Sequence, residues 1–327
     1  MKTIRIGIYG AGFMAGIHAK SMQSIEGAEV VAVTGASIED AQNFCKEQAP
    51  GATGFDSFEA MLDGAELDAV YFCIPPYLHK GEVELAAGRG LHVFLEKPIA
   101  LNSEAAGSMV EAIESAGVVS QVGFMMRFRK SIERLKARID SGEAGRATLF
   151  TGRFWVNMDG SPWWRNKEQS GGQVFEQIIH LYDLAAYLFG DVAQAKGAIA
   201  NLLHSDQSDY TIEDTSVGLL QFKNGALASI TGSNSAVPMH FFADFRVATE
   251  NDTLEYRCTG QPWVEPDVAF SYDAEGNKTE IAEDGDPFFE EDVHFIDCIR
   301  SGQTTRCPAR DGLRAIEIVE AMLQSEF

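Results

Sequence analysis

The chain is 327 residues long, and its 45% hydrophobic and 23% charged residues are ordinary for a globular protein with a sizeable core. The formal net charge of −22 argues against nucleic acid and against an anionic membrane as partners. The five cysteines form no C-x-x-C pair, which favours reduced thiols and a cytoplasmic protein, and the start lacks the apolar segment of a signal peptide. We expect two domains and a small-molecule substrate.

The first predicted strand, Ile4 to Tyr9, runs into a turn with the pattern G-x-G-x-x-A, and a helix follows to about Ser24. In such a turn the first glycine permits the bend, the second lets a pyrophosphate approach the backbone, and the small last residue lets helix and strand pack closely. The alternative is a glycine-rich turn without a ligand. The strand–turn–helix context favours dinucleotide binding, with cofactor contacts expected at Gly10, Gly12, Phe13 and Met14.

The second predicted strand, Glu29 to Thr34, ends without the acid that grips the ribose 2′-hydroxyl in many NAD sites. No acid follows until Glu39. Thr34 and Ser37 offer hydroxyls instead, and the N-terminus of the next helix offers amides to a 2′-phosphate. We therefore expect both residues to contact the cofactor and NADP(H) to be preferred over NAD(H), although no Arg or Lys stands at positions 34–38.

The rest of the first half continues the alternation of strands and helices. This alternation predicts a parallel, doubly wound sheet, and hence a Rossmann-type NAD(P)-binding domain over residues 1–123. The predicted elements are a helix to about residue 48, a strand at 51–55, a helix at 57–62, a strand at 69–74, a helix at 80–87, a strand at 93–95, a helix at 104–116 capped by Asn102 or Ser103, and a strand at 118–122.

Prolines and polar residues follow two of these strands, at 75–79 and at 96–98. In an open α/β sheet, ligands bind at the carboxyl ends of the strands, so Lys97 can face a bound cofactor there. In isolation, Glu-Lys-Pro is more simply a solvated ion pair at a strand end. In this setting we expect cofactor contacts from Ile74, Pro75, His79, Glu96 and Lys97.

From residue 124 the pattern changes to a mainly antiparallel sheet, which predicts a second, α+β domain over residues 124–327 for substrate binding and oligomerisation. Strong turn signals at 223–225 and 251–252 predict two hairpins. The acids of 265–292 are interpreted mostly as solvated surface. The predicted elements are helices at 128–141, 174–189, 288–299 and 313–323, and strands at 148–157, 214–222, 226–233, 240–249 and 253–259.

The helix at 174–189 places Glu176, His180 and Asp183 at i, i+4 and i+7, on one face. A lone histidine is more often structural, but two carboxylates near it can orient and tune an imidazole, and the two interpretations stay open. No H-E-x-x-H pattern is present, so we expect no metal.

The loop before this helix contains Trp163, Trp164 and Arg165. Two indoles and a guanidinium suit a hydroxylated ligand through stacking and hydrogen bonds. The alternative is a loop that packs its own aromatic side chains.

Taken together, these motifs resemble the glucose–fructose oxidoreductase and inositol dehydrogenase (Gfo/Idh/MocA) family over almost the whole chain. The matching motifs are the glycine turn at 10–15, Pro75-Pro76-x-x-His79, Glu96-Lys97-Pro98, and Gly171-Gly172 leading to His180-x-x-Asp183. The resemblance implies that Lys97 lies beside the reacting oxygen and that His180 is the acid/base. Glu176 stands where many members carry a substrate-binding aspartate, and it is longer by one methylene.

We therefore expect an NAD(P)-dependent oxidoreductase that transfers a hydride between nicotinamide C4 and a sugar, polyol or related carbinol or carbonyl. Lys97 would stabilise the alkoxide and His180 would take the proton. Expected substrate contacts are Glu176, Asp183, Trp163, Trp164 and Arg165. The alternatives are a catalytically silent NAD(P)-binding regulator, or a reductase of a non-sugar carbonyl or imine.

We also expect a homo-oligomer, a dimer or a tetramer, because strands of the second domain carry apolar residues with few helices to cover them. These residues are Val217, Leu219, Leu227, Ile230, Phe241 and Phe245.

Overall fold

A computed structural model describes residues 3–157, 160–235, 241–260 and 267–325, without the side chains of 259–260. The chain divides into two compact units, one of Met1–Met125 with Asp286–Leu313 and one of Met126–Gly285 with Arg314–Phe327. The sequence predicted that all of 124–327 forms one domain. In the structure, Asp286–Leu313 belongs to the first unit instead.

The strands and helices of the first part of the chain follow the predicted order. They are β1 Ile4–Tyr9, α1 Phe13–Met22, β2 Ala28–Thr34, α2 Ile38–Glu47, β3 Thr53–Phe55, α3 Phe58–Gly64, β4 Ala69–Phe72, α4 Glu82–Gly88, β5 His92–Leu95, α5 Ser103–Ala116 and β6 Ser120–Val122.

The later elements include several that were not predicted from the sequence. They are α6 Lys130–Asp140, β7 Ala147–Val156, α7 Pro162–Arg165, α8 Lys167–Ser170, α9 Ile179–Phe189, β8 Val192–Ala200, β9 Thr215–Phe222, β10 Leu227–Ser233, β11 Phe241–Thr249, β12 Thr253–Arg257, β13 Thr259–Gly260, β14 Val268–Tyr272, β15 Lys278–Ala282, α10 Pro287–Ser301 and α11 Ala309–Gln324.

The first unit contains a parallel sheet of six described strands in the order β3-β2-β1-β4-β5-β6. This is the strand order of a dinucleotide-binding Rossmann fold, whose ligand crevice lies where the order reverses, beside β1 and β4. The central strand β4 is apolar along its whole length, since helices cover both faces of such a sheet. All four residues of β4 are buried. Asn102 caps α5 by accepting a hydrogen bond from Ala105 N at 2.9 Å, as predicted.

Helix α10 explains why the domain prediction differs from the structure. Its residues Phe295 and Ile296 are fully buried in the core of the first unit, with Tyr71 and Phe94 of the sheet. The ring of Phe295 meets those of Tyr71 and Phe94 edge-on, at 5.6 and 5.7 Å between centroids. An amphipathic pattern shows that a helix has an apolar face, but it does not show which core that face will join.

The second unit contains a sheet of nine described strands in the order β15-β14-β12-β11-β7-β10-β9-β8, with β13 paired to β11. Its pairs are antiparallel except for β10 with β7. The two predicted hairpins are present, and Gly225 has φ +92° in the first. The predicted strand at 240–249 is present as β11, Phe241–Thr249. Residue 240 lies outside the described residues.

Strands β14 and β15 were not predicted within 265–292, whereas most of the described acids of this segment are exposed, as expected, apart from the buried Glu291 and Asp292. Between them these strands cover 268–272 and 278–282 and form an antiparallel pair at the edge of the sheet. Both are short and partly exposed, so their alternation is weak and the acids around them dominate the sequence pattern. Residues 265 and 266 lie outside the described part of the chain.

The apolar residues expected on one uncovered face of this sheet lie on both faces. Val217, Leu219 and Leu227 are 38%, 43% and 51% exposed, and Leu149 beside Leu227 is 43% exposed. Ile230 and Phe245 are buried. The ring of Phe241 packs edge-on against Phe154 at 5.0 Å. Side chains alternate between the two faces of a strand, so only part of the predicted apolar set forms an exposed patch.

No helix among the described residues is both long and apolar enough to cross a membrane.

Candidate active site

The glycine turn after β1 has the geometry that close contact with a dinucleotide needs. Gly10 has φ +110°, and a Cβ there would lie 2.3 Å from the carbonyl oxygen of Cys73, so only glycine fits. Gly12 is the N-cap of α1, and a Cβ there would meet nothing within 4 Å. Ala15 is fully buried between helix and sheet. The turn therefore leaves open space in front of the amides at the start of α1, where a pyrophosphate fits.

A cleft of about 1130 Å³ opens at this turn. It contains five of the predicted cofactor residues, and its further lining comes largely from α1, α2 and the segment after β4. The predicted residues in the lining are Gly10, Gly12, Phe13, Ile74 and Pro75, and the others include Lys20, Gly35, Asp40, Asn43, Glu47 and Lys80.

The two residues predicted to offer hydroxyls at the end of β2 also have structural contacts. Thr34 is buried, and its carbonyl accepts the Gly10 N–H at 2.8 Å. Ser37 caps α2, accepting the Asp40 N–H at 3.1 Å and donating its hydroxyl to the Asp40 carboxylate at 2.8 Å. Asp40, a carboxylate in the cleft lining, was not predicted from the sequence. Met14 is half-buried on α1.

His79 ends the short turn Pro76–Leu78 after β4. Its ring lies 6.0 Å from that of Phe72, and burial lowers the pKa of His79 to about 4. The imidazole is therefore neutral at physiological pH.

Glu96 and Lys97 follow β5 directly, and β5 pairs in parallel with β4. Glu96 N donates to Phe72 O at 3.0 Å, so this turn lies beside the strand end that leads to Ile74 and Pro75 in the cleft lining. The Lys97–Pro98 peptide bond is cis. Lys97 is half-buried at the carboxyl edge of the sheet, as predicted.

A buried acidic cluster lies behind this turn. His18, Glu96 and Glu291 bring possible metal-ligand atoms within 4.8 Å of one another. Both ring nitrogens of His18 already contact carboxylates, Asp292 at 2.8 Å and Glu96 at 3.0 Å. The His18 imidazole thus links Glu96 and Asp292, whereas neither carboxylate oxygen of Glu291 has a hydrogen-bond partner in the described structure, and of these residues only Glu96 was predicted from the sequence as a site residue.

In the second unit, the segment that was predicted as one helix begins with a π turn, Val174–Ile178, and continues as α9. The i, i+4 rule for α-helices does not hold across a π turn, so Glu176 does not keep the predicted alignment with His180. His180 is 8% exposed on α9. Such π turns often mark functional sites.

Asp183 lies on α9, and its carboxylate is held by the guanidinium of Arg127. Arg127 Nε donates to Asp183 Oδ2 at 2.8 Å, and both side chains are almost fully buried. The guanidinium also stacks on the ring of Tyr187 at 4.3 Å. Arg127 is 56 residues away in sequence, and nothing in the local pattern predicted this ion pair.

The tryptophan loop packs much of its own aromatic surface. Trp164 is buried with Tyr210 and Ile212, and the half-buried Trp163 packs against this group. Trp164 Nε1 donates to the Glu176 carboxylate at 2.6 Å. Arg165 pairs with Asp209 at 3.2 Å. Trp164 therefore orients Glu176, and its indole is too deeply buried for the predicted stacking on a ligand.

Comparisons with known proteins identify the family. Residues 4–124 match the description "Oxidoreductase family, NAD-binding Rossmann fold", and residues 132–255 match "GFO/IDH/MocA C-terminal domain". The chain belongs to this oxidoreductase family.

Three similar proteins show its range. scyllo-Inositol 2-dehydrogenase (NAD(+)) of Bacillus subtilis is 28% identical over 92% of this chain and 87% of its own length. D-xylose 1-dehydrogenase (NADP(+)) 2 of Haloferax volcanii is 27% identical over 95% of this chain and 94% of its own length. Levoglucosan dehydrogenase, solved in complex with NADH and levoglucosan, aligns with a TM-score of 0.87 over 98% of this chain and 96% of that one, at 18% identity, which supports the fold alone.

These findings confirm the resemblance, the fold class and the prediction of a nicotinamide-dependent oxidoreductase. The names of the first two relatives carry NAD(+) and NADP(+), so a nicotinamide cofactor is supported without a preference.

Proposed function

We propose that this enzyme transfers a hydride between nicotinamide C4 and a carbinol or carbonyl carbon of a sugar, polyol or related substrate. The observation that carries the proposal is the position of Lys97, which directly follows β5 beside the strand end that lines the dinucleotide cleft. An ammonium at this edge can stabilise the negative charge that develops on a reacting oxygen. The names of the relatives favour a hydroxylated substrate.

His180 is the proposed acid/base. In the oxidative direction its imidazole takes the proton of the substrate hydroxyl, while Lys97 stabilises the oxygen from which that proton leaves. The bound cofactor supplies only the site that accepts or gives the hydride. Reduction reverses these proton transfers. Residues 124–285 would carry most substrate contacts, through Glu176, Trp163 and Arg165, whereas Asp183 would act through its ion pair with Arg127.

The preference for NADP(H) stays a prediction, and the structure supplies an argument on each side. Ser37 and the N-terminus of α2 lie near the expected ribose end of the cleft, and amides there attract a phosphate. Asp40 lines the same end, and its carboxylate would repel a 2′-phosphate. We propose that Asp40 is the residue that limits NADPH binding.

We also propose a homo-oligomer, a dimer or a tetramer, formed through the exposed sheet patch of Leu149, Val217, Leu219 and Leu227. Light scattering at micromolar concentration tests this proposal, and a monomer mass would contradict it. All five cysteines are free thiols, which supports the proposed cytoplasmic location.

A panel of sugars, polyols, aldehydes and imines, assayed with both cofactors by nicotinamide absorbance, tests the reaction. We expect turnover with a polyol or sugar, lost in Lys97→Met and kept in Lys46→Met, an exposed lysine on α2. Turnover only with an aldehyde or imine would favour the non-sugar alternative. Tight cofactor binding without any turnover would favour the silent regulator.

A further inference from the structure

The Glu96 carboxylate connects the buried cluster to Lys97. Glu96 Oε2 accepts the backbone N–H of Lys97 at 3.2 Å, while Glu96 Oε1 contacts His18 Nε2 at 3.0 Å. Glu96 is 8% exposed, so its carboxylate has little contact with water. The conformation of the turn that carries Lys97 therefore depends on how Glu96 is held.

His18 is itself fixed from three sides. Its Nδ1 lies 2.8 and 3.1 Å from the two carboxylate oxygens of Asp292 on α10. Its ring packs edge-on against Phe94, at 4.7 Å between centroids, and lies 5.2 Å from the ring of Tyr71. His18, on α1, is thus a rigid link between α10 and the turn after β5.

The protonation of the cluster agrees with this role. Burial alone would lower the pKa of His18, but the Asp292 and Glu96 carboxylates outweigh it and hold the pKa well above its usual value. An imidazolium donates from both nitrogens, which suits two carboxylate acceptors. Glu291 also faces this cluster, and burial holds the pKa of its carboxyl well above its usual value, so it adds little charge.

The space around Glu96 is closely filled. Gly123 follows β6, and a Cβ at this position would lie 2.8 Å from Glu96 Oε1. Even one methyl group there would push the carboxylate away from its contacts. Substitution of Gly123 therefore displaces the Glu96 carboxylate without changing any charged group of the cluster.

We propose that His18 and Asp292 are positioning residues for Lys97, acting through Glu96. This inference rests on the proposed function, in which Lys97 stabilises the reacting oxygen. A buried ion cluster is weak evidence of stability, since replacing such groups with apolar ones often costs little. Its contact with the turn that bears Lys97 gives it a more specific role, because small displacements of a reacting group reduce rate strongly.

The test compares Asp292→Asn, His18→Gln and Gly123→Ala with the control His92→Gln. His92 begins β5, the same strand, and its Nδ1 accepts the Val119 N–H at 3.0 Å, far from Glu96. We expect the three variants to lose on the order of 10- to 100-fold in kcat, with unchanged cofactor Kd and a larger primary deuterium isotope effect, because hydride transfer becomes slower. The His92→Gln control should keep the wild-type kcat, cofactor Kd and isotope effect.

A second readout does not require turnover. Reductive methylation with carbon-13 gives each lysine an NMR signal, and loss of one signal in Lys97→Arg identifies Lys97. This signal should shift in Gly123→Ala and Asp292→Asn and stay in place in His92→Gln. Folded variants with wild-type kcat and an unmoved Lys97 signal would overturn the proposal. If Lys97→Met keeps turnover, the proposed function fails, and the NMR signal still decides whether the cluster positions Lys97.

Discussion

The strand-end region of the first unit, residues 74–79 and 96–98, and the helical region of the second unit, residues 162–189, both carry predicted site residues. In the strand-end region a parallel sheet sets the positions, and Lys97 lies at the carboxyl edge as its motif predicts. In the helical region the carboxylates have partners from other segments, with Arg127 on Asp183 and Trp164 on Glu176. The parallel sheet thus sets the positions of the strand-end residues, whereas the carboxylates of the helical region are oriented by partners from other segments.

The largest expected effects come from the single variants Lys97→Met and His180→Ala, which remove one proposed catalytic group from each region. Both should lower kcat by on the order of 10²–10⁴, because each removes a group that manages charge or a proton. Cofactor Kd and melting temperature should change little. Steady-state kinetics, fluorescence titration and thermal unfolding measure these quantities. A folded Lys97→Met protein with near-normal turnover would show that the strand-end region has no special chemical role.

Asp183→Asn should instead destabilise the second unit. It leaves the buried Arg127 guanidinium without its counter-charge, and breaking a buried pair costs about 3–5 kcal/mol. Urea unfolding measures the loss. Asp209→Asn is the control, since Asp209 is an exposed partner of Arg165 and should cost less than about 1 kcal/mol. Equal stability of the two variants, with activity lost only in Asp183→Asn, would indicate direct substrate contact instead.

Acid should weaken the first unit through His79. Its pKa is about 4 in the folded protein and about 6.5 in the unfolded chain, so the unfolded chain binds more protons between these values. The contribution of His79 is complete above pH 6.5 and is lost as pH falls toward 4. We expect about 2 kcal/mol, below the full linkage value, because the ring is partly exposed.

Thermal unfolding from pH 4 to 7 measures this loss in the apoprotein. The His79→Gln protein should show a flatter stability profile than the wild type across that window. Parallel profiles would mean that the ring is protonated as readily in the folded state as in the unfolded chain.

The smallest expected effect concerns the cofactor. Asp40→Asn removes a carboxylate from the cleft lining and should raise the affinity for NADPH relative to NADH by roughly fivefold, about 1 kcal/mol. Glu39→Gln changes a neighbouring acid that is not part of the cleft lining and should leave the ratio unchanged. Titration of both cofactors measures the ratio. If the ratio of NADPH to NADH affinity is unchanged in Asp40→Asn, another residue determines the cofactor preference.

The sequence predicted those features that short-range patterns control. The glycine turn, the alternation of strands and helices in the first part of the chain and the hairpin at Gly225 follow from local conformational requirements and hydrophobic patterning. It could not predict partners distant in the chain. Arg127 with Asp183 and His18 with Asp292 are 56 and 274 residues apart, and no local pattern signals either pair.

Two other features of the structure differ from the sequence prediction because the sequence pattern that would reveal them is weak. Residues 174–178 contain no Gly or Pro, so their π turn leaves no clear trace in the sequence. Helix α10 is amphipathic, and its pattern gives no reason to assign it to the first unit instead of the second.

The central proposal is that Lys97 and His180 serve one chemical step. The most direct measurement is kcat/KM for Lys97→Met, His180→Ala and the double variant with one substrate and saturating cofactor. Residues that act as a unit give strongly non-additive losses, so the double variant should be little slower than the slower single variant. Losses that multiply would show that the two side chains contribute independently and would contradict this account.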